Sequence, residues 1–275
     1  MRRFLETRGT LGEFARDHVD ARVVAADSTP LAATYLPGGV GPDAIVVAHG
    51  FAGNRRKPSY ARLADALADV APVLAVDLRG HGGSGGWSTF GDAERADVTG
   101  AVAWLHAFGH RRIVGVGVSM GASAMLGAAA AGTPLDAVVT ISGPARWRPV
   151  APPGPLRQLE SIWHSPWRRA ALRAGVGVRL GTPAAFTARA HPSDHVRATS
   201  MPLLVVHGAD DAYFPLADAH ELVAASRQRR CGDVAAVWPR PPGFGHGEDG
   251  FEPAFLAQLQ TGVATFLREG SFPAG

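Results

Sequence analysis

Short runs of apolar, often β-branched residues alternate along the chain with longer segments in which apolar residues recur every three or four positions. Runs of the first kind predict strands, and segments of the second kind predict helices. The predicted strands are residues 21–26, 31–35, 44–48, 73–76, 113–118, 137–141, 203–206 and 234–238. The predicted helices are residues 60–70, 93–108, 122–131, 217–227 and 254–268.

Most of the predicted strands are continuous runs of Val, Ile, Leu and Ala, without a regular alternation of apolar and polar residues. Continuous apolar strands are typical of a sheet that is buried on both faces, and helices between them supply the cover. We therefore expect the α/β class, with a mostly parallel eight-stranded sheet and helices on both faces. Only the turn at residues 28–30 separates the first two strands, so they should form an antiparallel hairpin at one edge.

Residues 144–200 interrupt the alternation of strands and helices. This segment is rich in proline and contains no clear strand. We interpret it as a short lid inserted into one core domain, which comprises residues 1–143 and 201–275. The chain is long enough for one large or two small domains, and the continuous alternation favours one.

Aromatic residues in and near the insertion are the candidates for substrate contact. Three of the six tryptophans, Trp147, Trp163 and Trp167, fall in the insertion. They are expected to wall an apolar pocket together with Tyr213, which follows the seventh predicted strand. The alternative is that the tryptophans only pack the insertion against the sheet.

The charge distribution excludes one class of partner and leaves another open. The net charge is +3, and the basic residues are scattered without interleaved aromatic residues, so no nucleic-acid binding is expected. The insertion holds nine arginines and two acidic residues. Their excess positive charge would steer an anionic substrate, such as a carboxylate or a phosphate-bearing thioester, or it would simply form a solvated helix face.

Cys231 is the sole cysteine, which excludes disulfides within the chain and is compatible with a reducing compartment. The first residues contain no apolar segment of the kind found in signal peptides, so a cytoplasmic location is expected. The uncharged stretch at residues 113–135 contains five glycines and a change from strand to helix pattern, which favours a core segment over a membrane span. The oligomeric state is not indicated.

Ser119 lies in the sequence Gly-Val-Ser-Met-Gly, between a predicted strand and a predicted helix. A sharp turn from strand to helix exposes the serine side chain and requires small residues such as Gly117 and Gly121 two positions to either side. The helix that follows directs free backbone N–H groups at the same place. A second match to the pattern surrounds Ser84, but no helix follows it, so Ser84 is interpreted as a loop residue.

A serine nucleophile needs a base, and the base needs an acid that orients it. Ligands of open parallel sheets bind at the carboxyl ends of the strands. His246 lies on a glycine-rich loop after the last predicted strand, and Asp210 and Asp211 follow the seventh. Ser119 and His246 are therefore predicted to form a catalytic triad with one of these two aspartates.

The order Ser, Asp, His and five local motifs resemble the α/β-hydrolase superfamily over roughly residues 20–270. The motifs are Gly-Val-Ser119-Met-Gly, His49-Gly-Phe51, Asp77-x-Arg-Gly-His81-Gly, His207-Gly-x-x-Asp211-x-x-x-Pro215 and Gly-x-Gly-His246. The resemblance implies that Asp211, four residues before Pro215, is the acid. It also implies an oxyanion hole formed by the backbone N–H groups of Phe51 and Met120.

The activity that the resemblance implies is hydrolysis of a carboxylic ester or related small acyl compound through an acyl-enzyme. No cofactor is expected, and no metal, because the chain lacks a His-Glu-x-x-His motif and a cysteine cluster. His49 and His81 are interpreted as hydrogen-bonding residues that shape loops. A thioesterase, an acyltransferase or a small peptidase would use the same triad, and a non-catalytic binding protein on the same fold is the alternative from another class.

Overall fold

The computed structural model describes residues 12–39, 41–148, 154–188, 190–228, 235–240 and 244–273. The N-terminal residues considered above for targeting, Cys231 and the first residue of the predicted strand 234–238 lie outside these ranges. The strands are β1 (Val19–Val24), β2 (Pro30–Leu36), β3 (Asp43–Ala48), β4 (Val73–Val76), β5 (Arg112–Val118), β6 (Ala137–Ile141), β7 (Leu203–Gly208) and β8 (Ala235–Arg240).

The described ranges contain eight α-helices. They are α1 (Pro58–Ala68), α2 (Arg95–Phe108), α3 (Met120–Ala130), α4 (Pro155–His164), α5 (Pro166–Val176), α6 (Pro192–Arg197), α7 (Leu216–Ser226) and α8 (Pro253–Glu269). Short 3-10 helices span Pro183–Ala185 and Gly247–Gly250. Every predicted strand and helix has a counterpart whose ends differ by no more than two residues.

All eight strands form one sheet in the order β1-β2-β4-β3-β5-β6-β7-β8. The pairs β1–β2 and β2–β4 are antiparallel, and β4, β3, β5, β6, β7 and β8 run parallel to one another. The α/β class with a mostly parallel sheet is confirmed, as is the hairpin at its edge. The loops that follow β3, β5, β7 and β8 therefore meet at one edge of the sheet.

Apolar cores lie on both faces of the sheet. Along β3, Val46 belongs to one buried cluster while Ile45 and Val47 belong to the other, as the alternation of side chains in a strand requires. Helices α2, α3 and α7 contribute to the first cluster, and α1 and α8 contribute to the second. The continuous apolar strands are explained by this burial on two sides.

The described part of residues 144–200 is mainly helical, and the three helices α4, α5 and α6 were not predicted from the sequence. Pro155, Pro166 and Pro192 each stand at the first turn of one of these helices. Proline is favourable there, because its fixed φ suits a helix and the missing N–H would have no partner. Neither α4 nor α5 has a fully buried residue. The division of the chain into core and lid stays a prediction.

No helix within the described ranges is both long enough and apolar enough to cross a membrane.

Candidate active site

Ser119 occupies a sharp turn between β5 and α3. Its φ of 52° and ψ of −112° lie in a region that L-residues rarely adopt. A Cβ atom at position 121 would come 2.3 Å from the carbonyl oxygen of Ala48, and one at position 117 would come 2.5 Å from that of Gly121. The close packing of strand and helix thus requires glycine at both positions, as the sequence pattern predicts.

The structure brings Ser119, His246 and Asp211 into one hydrogen-bonded chain. His246 Nε2 lies 2.9 Å from Ser119 Oγ. On the other side of the ring, His246 Nδ1 lies 2.9 Å from Asp211 Oδ1 and 2.8 Å from Oδ2. A proton on Nδ1 is therefore held by the carboxylate, which leaves Nε2 free to accept the proton of the serine hydroxyl.

Asp211 is held as a carboxylate inside the protein. Its side chain is 0 % exposed, and its Oδ1 accepts hydrogen bonds from the backbone N–H groups of Tyr213 (2.8 Å) and Phe214 (3.0 Å). Burial raises the pKa of Asp211, but the hydrogen bond and the charge of His246, with the two backbone donors, outweigh it, so its pKa lies below the ordinary value. Asp210, by contrast, is exposed.

Ser142, to which the sequence analysis gave no role, holds the loop that carries His246. Its Oγ accepts a hydrogen bond of 2.9 Å from the backbone N–H of Gly247, and its φ is 53°. The preceding residue, Ile141, accepts the hydrogen bond of 2.8 Å from the Ser119 N–H. The end of β6 therefore supports both the nucleophile and the base. The only sequence signal for this supporting role of Ser142 is a serine directly after a predicted apolar strand.

Phe51 lies in the loop that follows β3, and Met120 is the first residue of α3. Both residues line the same cavity as Ser119. The Gly50 N–H donates to the hydroxyl of Tyr60 (2.8 Å), which fixes the start of this loop. A Cβ atom on Gly50 would come 3.4 Å from that of Ser119, so the loop backbone runs close to the nucleophile. The use of the Phe51 and Met120 N–H groups as oxyanion donors remains a prediction.

Two buried histidines hold the same loop. His49 Nδ1 donates to the Gly50 carbonyl (2.7 Å), and its Nε2 accepts from the Leu78 N–H (3.0 Å). His81 Nε2 accepts from the Ala52 N–H (3.1 Å), while its Nδ1 lies 2.9 Å from a carbonyl oxygen. Each ring is thus bound as one neutral tautomer, as expected for loop-shaping histidines.

Burial lowers the pKa of both histidines. The pKa of His49 falls from 6.5 to about 4, and that of His81 falls to about 3 by burial and, second, by the charge of His49. The folded chain therefore keeps both rings neutral where the unfolded chain protonates them. The stability that these neutral rings provide is complete above pH 6.5 and is lost as the pH falls towards the folded pKa values.

We expect the free energy of unfolding to decrease as the pH falls below about 6.5, by about 1.4 kcal/mol per pH unit for each of these histidines. His81→Gln removes one of the two groups and should make the slope shallower by that amount, whatever its effect at neutral pH. Urea unfolding of wild type and variant over a pH series measures both slopes. Equal slopes would show that His81 is protonated alike in the folded and unfolded chains.

A cavity of about 1030 Å³ opens above Ser119 and His246. Of the four predicted substrate contacts, Trp147, Trp163 and Tyr213 line it. The Tyr213 ring lies 4.3 Å from that of His246. The use of Trp147, Trp163 and Tyr213 in substrate binding stays a prediction.

A row of aromatic rings forms one wall of this cavity. The ring centroids of Phe51 and Phe90 are 4.6 Å apart, and those of Phe90 and Trp163 are 5.0 Å apart. Phe186 continues the row at 5.5 Å from Trp163 and 5.2 Å from Trp147. Phe90 and Phe186 were missed in the sequence, because nothing in their neighbourhood distinguishes them from core residues.

The expectation that Trp167 lines the pocket is wrong. Its side chain is 84 % exposed, and it does not contact the cavity. Trp163 and Trp167 would share a face if they lay on one helix, but α4 ends at His164 and Pro166 begins α5. Ser165 between them is extended, with φ −101° and ψ 115°, so the second tryptophan turns outward.

The described residues contain no group of three or more His, Cys, Asp or Glu side chains arranged to hold a metal ion. The expectation that catalysis needs neither metal nor cofactor stays a prediction.

Known proteins provide an independent comparison. A sequence model of the alpha/beta hydrolase fold matches residues 43–195, which include Ser119 but end before Asp211 and His246. No curated protein sequence matches the chain.

Several solved structures share its architecture. The esterase Pf2001 of Pyrococcus furiosus superposes with a TM-score of 0.71 at 20 % identity, over 96 % of this chain and 98 % of that one. The esterase RhEst1 of Rhodococcus sp. ECU1013 gives 0.62 at 22 %, over 91 % and 98 %. An esterase of Exiguobacterium antarcticum gives 0.66 at 15 %, over 91 % and 100 %. The matched sequence covers more than half of the chain, and the chain therefore belongs to the alpha/beta hydrolase fold family.

Proposed function

We propose that the protein is a serine hydrolase that cleaves carboxylic esters through an acyl-enzyme. The observation that carries the proposal is the position of His246, whose two ring nitrogens lie within 2.9 Å of Ser119 Oγ and of the Asp211 carboxylate. A binding protein has no need of this chain of hydrogen bonds. The similarity of the fold to three proteins described as esterases is in line with the proposal.

In the first half of the reaction, His246 Nε2 takes the hydroxyl proton while Ser119 Oγ attacks the ester carbonyl carbon. The negative charge on the carbonyl oxygen is stabilised by the N–H groups of Phe51 and Met120, each worth about 3 kcal/mol of barrier. His246 then gives its proton to the leaving alcohol oxygen, and the acyl group remains on Ser119. Asp211 stabilises the imidazolium throughout.

In the second half, water takes the place of the alcohol. His246 removes a proton from this water, whose oxygen attacks the acyl carbonyl, and then returns the proton to Ser119 Oγ as the carboxylic acid leaves. The apolar row from Phe51 to Trp163 would bind the hydrocarbon part of the substrate. Its length favours an aromatic or medium-chain group over a very short one.

Treatment with a fluorophosphonate should add one adduct to the intact protein, and peptide mass spectrometry should locate it on Ser119. The reagent reacts only with a serine that a neighbouring base activates, so labelling measures the assembled triad. A series of p-nitrophenyl esters of increasing acyl length should then give activity that rises to medium chains. An unlabelled protein with no activity on any ester would contradict the proposal and favour a non-catalytic binding protein.

A further inference from the structure

The inner face of α4 carries one charge among apolar residues. Leu156, Leu159, Glu160 and Trp163 stand at spacings of three, four and seven from the first, which places them on one face of the helix. All four line the cavity above Ser119. A carboxylate at an apolar position of an amphipathic helix loses part of its hydration without gaining apolar packing. Its burial is therefore unfavourable unless a cation or a hydrogen-bond donor binds it.

Glu160 is set apart from the other charges of the cavity wall. The three cations on that wall are each paired with a carboxylate: Arg146 with Glu221 (2.7 Å), Arg148 with Asp218 (2.7 Å), and Lys57 with Glu248. Glu160 is half-buried and makes no ion pair or hydrogen bond with any described residue. The cavity therefore presents a carboxylate without a counter-charge, not a surplus of positive charge.

Aromatic rings line the same cavity as Glu160. Trp163 lies one turn beyond Glu160 on α4, and its ring contacts those of Phe90 (5.0 Å) and Phe186 (5.5 Å) in edge-to-face geometry. Phe90, Trp163 and Phe186 all line the cavity, and the faces of aromatic rings attract cations. A carboxylate beside several aromatic rings is the chemistry that recognises an ammonium group in preference to an anion or a neutral alkyl group.

We propose that the ester substrate carries a cationic ammonium group, and that Glu160 with the rings of Phe90 and Trp163 binds it. This proposal rests on the proposed function, because it names the substrate class of the same site. Two ring contacts separate Phe51, beside Ser119, from Trp163. The cation therefore lies several bonds from the carbonyl that reacts, and Glu160 determines specificity without taking part in the chemistry.

The arginines of the insertion do not support an anionic substrate instead. Arg146 and Arg148 are the two that line the cavity, and both are neutralised by carboxylates of α7. Arg168 and Arg169 bind Ser161 Oγ and the Trp163 carbonyl oxygen and do not line the cavity. The described arginines of the insertion thus place no unpaired positive charge on the cavity wall.

Two pairs of esters test the proposal. In one, trimethylammoniobutyrate is compared with the acid in which a tert-butyl group replaces the trimethylammonium, both as p-nitrophenyl esters. In the other, choline butyrate is compared with its dimethylbutyl analogue, so that the cation is on the alcohol. Wild type should favour the cationic ester in at least one pair by about tenfold in kcat/KM, which corresponds to about 1.4 kcal/mol.

Glu160→Gln should abolish this preference while kcat/KM for the neutral esters stays near wild type. Glu160→Lys should make the cationic ester the poorer of the pair. Glu13→Gln removes the same charge from an exposed position outside the cavity and should keep the preference.

The outcomes separate the two proposals. Turnover of neutral esters with no cationic preference in either pair, or a preference that Glu160→Gln leaves intact, overturns the role of Glu160 and keeps the hydrolase. No turnover of any of the four esters, together with no fluorophosphonate adduct, overturns the hydrolase itself. Binding of tetramethylammonium, measured as competitive inhibition in wild type but not in Glu160→Gln, gives a second readout that does not depend on the choice of ester.

Discussion

Ser119→Ala is expected to lower kcat for p-nitrophenyl ester hydrolysis on the order of a million-fold. The variant lacks the oxygen that attacks the carbonyl, and His246 Nε2 loses its partner at 2.9 Å. Folding should persist, because the N–H of Ser119 and the strained backbone are stabilised by neighbouring residues and not by the hydroxyl. Steady-state kinetics with a far-UV circular dichroism spectrum measures both properties.

Ser84→Ala is the matched control, since Ser84 stands in the second Gly-x-Ser-x-Gly of the chain. Ser84 Oγ donates to the Asp77 carbonyl (2.5 Å) and accepts from the Ala32 N–H (2.9 Å). Its loss should cost about 1–3 kcal/mol of stability because a buried N–H is left without a partner. Activity should remain. Equal losses of activity in both variants would mean that Ser119 acts through the fold and not as the nucleophile.

Asp211→Asn is expected to reduce kcat about ten-thousand-fold. An amide in place of the carboxylate no longer holds the Nδ1–H tautomer of His246 and cannot stabilise the imidazolium. Asp210→Asn makes the same chemical change one residue earlier, at an exposed position, and should retain activity. The two variants therefore form a direct comparison that decides which aspartate orients the base.

The fluorophosphonate reaction sharpens this comparison. Asp211→Asn should still be labelled, but far more slowly, because Ser119 is present while its base is wrongly protonated. Asp210→Asn should be labelled at the wild-type rate. A large kinetic defect in Asp210→Asn with none in Asp211→Asn would contradict the proposed triad, whatever the distances.

The strands and the turn at Ser119 were predictable because residues close in sequence determine them. Continuous apolar strands between helices have few alternatives to a covered parallel sheet. The glycines around Ser119 are required because a Cβ atom at position 121 or 117 would come 2.3 or 2.5 Å from a backbone carbonyl oxygen. The order of residues along the chain then brought Ser119, Asp211 and His246 to one edge. Each of these inferences needs only neighbours in sequence and the topology of a common fold.

The insertion was harder to predict, because a proline can either interrupt a helix or begin one. Pro155 and Pro166 break a helical pattern when they lie inside it, yet they begin α4 and α5 here. The boundary at Ser165 turned Trp167 outward, which the spacing of the tryptophans alone does not reveal.

The charge count of the insertion does not identify the ligand, for a similar reason. Arg148 finds its partner in Asp218, which is 70 positions away in sequence. Pairing of this kind depends on tertiary contacts, so the net charge of a segment does not give the sign of the charge that a ligand meets. Glu160 lines the cavity without an ion pair, whereas Arg146 and Arg148, the described arginines of the segment that line it, are paired with carboxylates.

The shallow burial of α4 and α5 has a consequence for the energy of opening. Because no residue of either helix is fully buried, local unfolding of the pair should cost little apolar contact. Such a movement is a sub-global fluctuation with a free energy well below that of complete unfolding, and the amides of these helices should exchange with solvent long before those of β5. Mutations that lower the free energy of complete unfolding through the sheet should therefore leave the exchange rates of these helices unchanged.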